Sequence, residues 1–331
     1  MSPRPASRPA PGPLRRAEKG STAFRVRIAT ALATLLAGVL TVPATAHAVT
    51  PAAAAPPPAV RAAAEHTAGV RTVSVSSTAT SLHAPATLAP GIVTFRTTTT
   101  DTASGWIGLA RPRPGVTWEQ FRSTLMKIIN AHGPDIVEGS EEMLSTADLL
   151  GGTVIYPDRP ATFTQKLNPG RYFLFDYRHI RDAQPRYRTL AVEGRPHGSA
   201  PGVGAVVTAR MTEGAPRYEV TGTVRAGRPL LFRNAMPEGQ PAEAIFFPLP
   251  DGVTEEELVA WFDKFGDSGR FPEDPGPLGE GPGGLPMSSG VSSVLRLPLQ
   301  PGRYVIIDWL SSAEDGRMLL KQGHYEIIRV H

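Results

Sequence analysis

The chain has 331 residues, a formal charge of +4 from 34 Lys and Arg against 30 Asp and Glu, and no cysteine. The missing cysteines exclude disulfides and thiolate chemistry, so an exported form must be held together by buried cores alone. The 33 Gly and 34 Pro favour many short strands joined by turns.

The first element is an export signal. Arg4, Arg8, Arg15, Arg16, Lys19, Arg25 and Arg27 precede the uncharged run IATALATLLAGVLTV at 28–42, and Ala46-His47-Ala48 follows with the small residues a signal peptidase accepts. The run of 15 residues is short of the roughly 20 that span a bilayer, so cleavage after Ala48 by the general secretory route is expected, with no stable membrane span afterwards. Removing residues 1–48 takes away seven basic residues and one acidic (Glu18), which turns +4 into −2. A slightly acidic product offers no general attraction to nucleic acid. The expected location is extracellular or the cell envelope. Residues 49–67 follow as an Ala/Pro-rich tether.

Beyond the tether the sequence repeats itself. Residues 151–176 align without gaps on 283–308, a separation of 132, with eight identities in 26. Residues 95–127 align on 232–264, a separation of 137, with seven identities in 33. The order of blocks is the same, which predicts one domain at 68–195 and a second at 203–331, each burying its own core. In each half two strands come first, GIVTFRTTT and GWIGLA in one, RPLLFRN and AEAIFFPL in the other. A helix follows. Thr117 with Gln120, and Thr254 with Glu257, have the spacing of a capping box. Trp118, Phe121, Leu125 and Ile128 in one half, and Leu258, Trp261, Phe262 and Phe265 in the other, recur at helical spacing. The stretches 131–150 and 266–290 read as polar loops that carry Glu138, Glu141, Glu142, Asp267, Glu273, Asp274 and Glu280, and loops of that length are where binding resides. Each half closes with Leu-x-Pro-Gly-Arg-Tyr, a run ending in Asp176 or Asp308, and a last strand, YRTLAV or YEIIRV. Pro-Gly is a tight turn, and the tyrosine opens a core strand. Short strands around one helix per half make an all-β chain of two tandem Greek-key β-sandwiches.

The order strand, Pro-Gly-x-Tyr, alternating residues and last strand resembles the cupredoxins, the small sandwiches that include plastocyanin and azurin and carry a blue copper. The resemblance covers most of each half. It implies a copper-ligand cysteine where this chain has Asp176 and Asp308, and a histidine where it has His179 and Ser311. It further implies a methionine near Gln184 and His324, and an upstream histidine near Trp106 and Glu243. Without thiolate no blue copper centre forms, so the likeness implies the fold and denies its usual cofactor.

Two functions are therefore carried forward. The first is a secreted, non-enzymatic protein of metal-free cupredoxin-like domains that binds an extracellular ligand or an envelope component, with no catalytic, cofactor or metal residue. The alternative is a copper- or zinc-binding protein using Glu243, Asp308 and His324, or Asp176 and His179; the plainer reading of the two aspartates is that they cap strand ends. Gly266-Asp267-Ser268-Gly269 has the letters of a serine-protease motif, but Arg270 follows it and no base accompanies it. His66, His83 and His331 read as solvated. Trp106, Trp118, Trp261 and Trp309 read as core or rim packing. The crease between the halves, joined by the connector 196–203, and a pocket beneath the loop 266–290 are further candidate sites.

Overall fold

The computed structural model describes residues 70–130, 133–266, 272 and 276–331. The signal peptide expected at 1–48, the tether at 49–67, and Asp267, Ser268, Glu273 and Asp274 lie outside the described residues. Among the described residues no helix is long and apolar enough to cross a membrane.

The first half runs through β1 (Arg71–Ser77), β2 (Leu82–His83), β3 (Thr87–Leu88), β4 (Gly91–Thr99), β5 (Gly105–Pro112), α1 (Trp118–Asn130), α2 (Pro134–Thr146), β6 (Ala147–Ile155), β7 (Ala161–Leu167), β8 (Gly170–Asp176) and β9 (Tyr187–Val192). The second runs through β10 (Ala205–Thr212), β11 (Ala215–Gly222), β12 (Leu230–Ala235), β13 (Ala242–Pro248), α3 (Glu255–Phe262), β14 (Gly283–Met287), β15 (Ser292–Arg296), β16 (Gly302–Ile307) and β17 (Tyr325–Val330). The chain is all-β, as expected, with two mixed sheets. One holds eight strands in the order β11-β10-β12-β15-β7-β4-β1-β2, the other nine in the order β17-β16-β13-β14-β6-β5-β8-β9-β3.

The halves meet strand to strand in both sheets. β7 pairs antiparallel with β15, and β6 with β14. These are equivalent strands of the repeat, so the seam is an internal two-fold axis. Phe163 faces Leu295, its own counterpart at the separation of 132. The expectation of two separate cores is corrected here: the largest apolar cluster holds Phe95, Phe163 and Tyr172 together with Phe232, Leu295 and Tyr304. Phe95 stacks on Phe163 with ring centroids 4.8 Å apart, and burying a phenylalanine of this kind is worth about 2 kcal/mol.

The glycine pairs of the repeat also belong to the seam. Gly151-Gly152 lies inside β6 and Gly283-Gly284 opens β14. Gly152 has φ 155°, and a Cβ there would sit 1.9 Å from the Ile107 carbonyl oxygen. Strands packed that closely exclude any side chain.

Both helices with capping boxes form. Thr117 Oγ1 accepts from the Gln120 amide at 3.2 Å while Gln120 Oε1 accepts from the Thr117 amide at 2.8 Å, and Thr254 and Glu257 do the same on α3. They lie on the outer face of the nine-stranded sheet. Trp118, Phe121 and Leu125 pack on Phe173 and Phe175 of β8, and Leu258, Trp261 and Phe262 pack on Val305 and Ile307 of β16. β8 and β16 are thus buried on both faces, which is why each reads as an unbroken apolar run. The stretch 131–150 is corrected too: it holds α2, which starts at Pro134 and buries Ile136 and Met143. Gly139 brings α2 close to α1, where a Cβ would come within 3.1 Å of the Lys127 side chain.

The repeated motif has a shared local cause. The Tyr172 hydroxyl donates to the Asn168 carbonyl at 2.8 Å and accepts from its amide at 3.0 Å, and the Tyr304 hydroxyl accepts from the Gln300 amide at 3.0 Å. The neighbouring arginines reach to the helix entry. Arg171 donates to the Val116 carbonyl, and Arg303 to the Val253 carbonyl at 3.1 Å. Gly-Val-Thr and Gly-Arg-Tyr therefore recur as the two ends of one contact.

Candidate ligand cleft on the internal axis

Asp176 and Asp308 close β8 and β16 and are fully buried. Asp176 accepts from the amides of Trp106 and Arg178, both at 3.1 Å, and from the Ser77 hydroxyl at 2.8 Å. Asp308 accepts from the amides of Glu243 at 3.3 Å and Leu310 at 2.9 Å. Each aspartate so ties its strand end to a neighbouring strand and to the turn that follows. They cap strand ends through loop and strand amides.

The structure brings His324 to Asp308 but not to the carboxyl of Glu243. His324 is fully buried, its Nδ1 lies 3.1 Å from Asp308 Oδ2, and its ring stacks on Tyr218 with centroids 4.2 Å apart. That approach is off the hydrogen-bond direction, so neither ring nitrogen has a hydrogen-bond partner among the described residues. Glu243 turns its carboxyl to the Trp309 amide, which Oε1 accepts at 3.2 Å. In the first half His179 leaves Asp176 and lies 2.8 Å from Asp182 and 3.4 Å from Asp101. Asp101 is also paired with Arg186 at 3.1 Å. Burial would raise the Asp101 carboxyl, but the Ala103 amide and Arg186 outweigh it and hold it low. Among the described residues no three His, Cys, Asp or Glu side chains are grouped to hold a metal. With Asp176 and Asp308 at the thiolate positions and engaged by amides, the donor set does not fit a blue copper.

The place where the halves converge is a cleft of about 640 Å³ on the outer face of the nine-stranded sheet. Leu285 and Pro286 of β14 line it, and Leu285 is buried in one apolar cluster with Val154 of β6 and Ile245 of β13, against which Trp106, Tyr177, Phe247 and Trp309 pack. Ile128, Ile129 and Ile136 border it from α1 and α2, Trp261 from α3, and Leu278 and Gly279 from the long loop. The internal axis runs through it: Tyr177 and Trp309 are equivalent residues, each one past the strand-end aspartate. Trp106 and Glu243 are equivalent too, at the separation of 137, and here the two-fold is broken.

Glu243 is the acid of this cleft. It is 4 % exposed, and burial first, then the neighbouring Asp308, push its carboxyl well above the usual range. Burial, and after it Glu243, also raise the Tyr177 phenol. Arg178 and Arg181 stand on the first-half side, where Arg178 donates to the Ser104 hydroxyl at 3.0 Å and Arg181 to the Ile129 carbonyl at 2.7 Å. The sequence pointed to the crease and to a pocket beneath the loop 266–290. It missed the walls from α2 and the change of Glu243 from metal ligand to cleft lining, because a carboxyl's direction is set by packing.

No family model matches the chain, nor does any curated protein. Solved structures similar to it include a reduced auracyanin from Roseiflexus castenholzii, at 14 % identity and TM-score 0.25, over 39 % of this chain and 99 % of that one. A multicopper oxidase is similar at 12 % identity and TM-score 0.22, over 79 % of this chain and 89 % of that one. A blue copper oxidase from Nitrosomonas europaea is similar at 12 % identity and TM-score 0.20, over 78 % and 84 %. The chain has no cysteine with which to hold a blue copper.

Proposed function

We propose that the chain is an exported, non-enzymatic binding protein that takes a small, largely apolar molecule into the cleft between its two halves. The observation that carries this reading is the cleft itself: about 640 Å³, with aliphatic residues from α1, α2 and β14 and aromatic walls from both halves. That volume lies within the range of small-molecule sites, which are typically apolar with few polar groups. Aromatic walls give large contact area with little loss of side-chain freedom. Export is supported by the signal-peptide pattern at 1–48.

Gly279 offers a direct test. It lines the cleft, and a Cβ at this position has nothing within 4 Å. In the chain lacking residues 1–48, Gly279→Trp is expected to weaken binding of the apolar dye Nile red by about tenfold, roughly the value of one well-buried ring, with melting temperature unchanged. Equal dye binding by the variant and the parent, or none by the parent, would remove the proposal.

A further inference from the structure

We infer that the cleft selects apolar molecules carrying a basic nitrogen, with Glu243 as the group that receives it. This rests on the reading of the cleft as a binding site and deepens it.

The argument starts from what the fold requires at that position. Trp106 and Glu243 are equivalent, and each backbone amide donates to the strand-end aspartate, at 3.1 and 3.3 Å. The fold is therefore satisfied by an indole here as well as by a carboxyl. Yet the second half places an acid in a site 4 % exposed, facing an apolar cavity. Its one side-chain hydrogen bond among the described residues is the Trp309 amide to Oε1. The second oxygen has no hydrogen-bond partner among the described residues and belongs to the cleft lining, where a bound molecule can satisfy it.

The surroundings favour a cation as that partner. Trp106, Tyr177, Phe247, Trp261 and Trp309 line the same space, and the faces of such rings attract an ammonium. Behind Glu243 stand Asp308, His324 and the Tyr218 hydroxyl, which donates to the Glu243 carbonyl. Across the cleft are Tyr177 and, on the far wall, Arg178 and Arg181, both engaged with first-half oxygens. Charge therefore divides along the cleft, with acid on the second-half side and base on the first. An amine with an apolar body fits the first of these, its rings against the aromatic walls.

Binding has a proton signature. Burial and Asp308 make the Glu243 carboxyl hold a proton more tightly than an ordinary carboxyl; an ammonium entering stabilises the carboxylate, and any proton so displaced leaves to the buffer. The experiment is calorimetry at pH 7, in two buffers of different ionisation heat, on the chain lacking residues 1–48. The probes are tryptamine, tryptophol and indoleacetate, three head groups on one body. Tryptamine is expected to bind about tenfold tighter than tryptophol, to release protons to the buffer, and to lose both properties in Glu243→Gln while tryptophol binding persists. The proton count needs only the native protein, so it holds even if the variant fails to fold. Tryptophol or indoleacetate binding as well as tryptamine, or tryptamine binding without proton release, would overturn the inference and leave the cleft standing. Failure of all three where Nile red binds would overturn it equally. Failure of Nile red as well would remove the cleft reading itself.

Discussion

Glu243 carries a pH-dependent stability that can be read without any ligand. Its carboxyl is raised in the folded chain by burial and by Asp308, so the folded state holds the proton more tightly than the unfolded one. The resulting stability is fully present below the ordinary carboxyl value and declines as pH rises through the raised one. Glu243→Gln lacks this term, so the variant should gain on the parent in urea midpoint as pH goes from 5 to 8. A constant difference across that range would show that the carboxyl is not held protonated. At this scale the repeat was informative in sequence. Aligning the halves set Trp106 against Glu243 and Asp176 against Asp308, and the two aspartates do occupy matching places with matching amide donors. What the alignment did not show was that His324 would reach Asp308 while the Glu243 carboxyl turned away, since that depends on Tyr218 from β11 stacking against the imidazole.

Helix starts were legible because their signal is local. Thr117 with Gln120 and Thr254 with Glu257 need only four consecutive residues, and both boxes form. Thr254→Ala is expected to cost about 1 kcal/mol, seen as a lower urea midpoint, with Thr254→Ser close to the parent. α2 was hidden for the opposite reason. Its segment is rich in Gly, Ser and Glu, and its apolar residues Ile136 and Met143 are sparse; the helix is held by packing on α1 across Gly139. Gly152 shows the strand counterpart. Its lack of a side chain is what lets β6 lie against Ile107. Gly152→Ala should prevent normal folding, measured as loss of soluble, cooperatively melting protein, whereas Gly279→Ala should be tolerated.

Two halves were visible in the sequence because the copies kept their motifs; one shared core was not, because it comes from which edges pair. β6 and β7 of one half meet β14 and β15 of the other, and both sheets continue across. Either half alone would leave these two strands open, an edge that templates association. Residues 68–195 expressed alone should therefore sediment as a dimer or aggregate; a stable monomer that melts cooperatively would show that the seam is dispensable.

The seam also bears on how the two sides of the cleft came to differ. In an assembly of two identical chains, any residue bordering the axis must appear on both sides, so an indole facing an acid is forbidden by symmetry. Covalent linkage through 196–203 lifts that constraint. One chain can then hold Trp106 on one side and Glu243 on the other, giving a molecule in the cleft a defined direction.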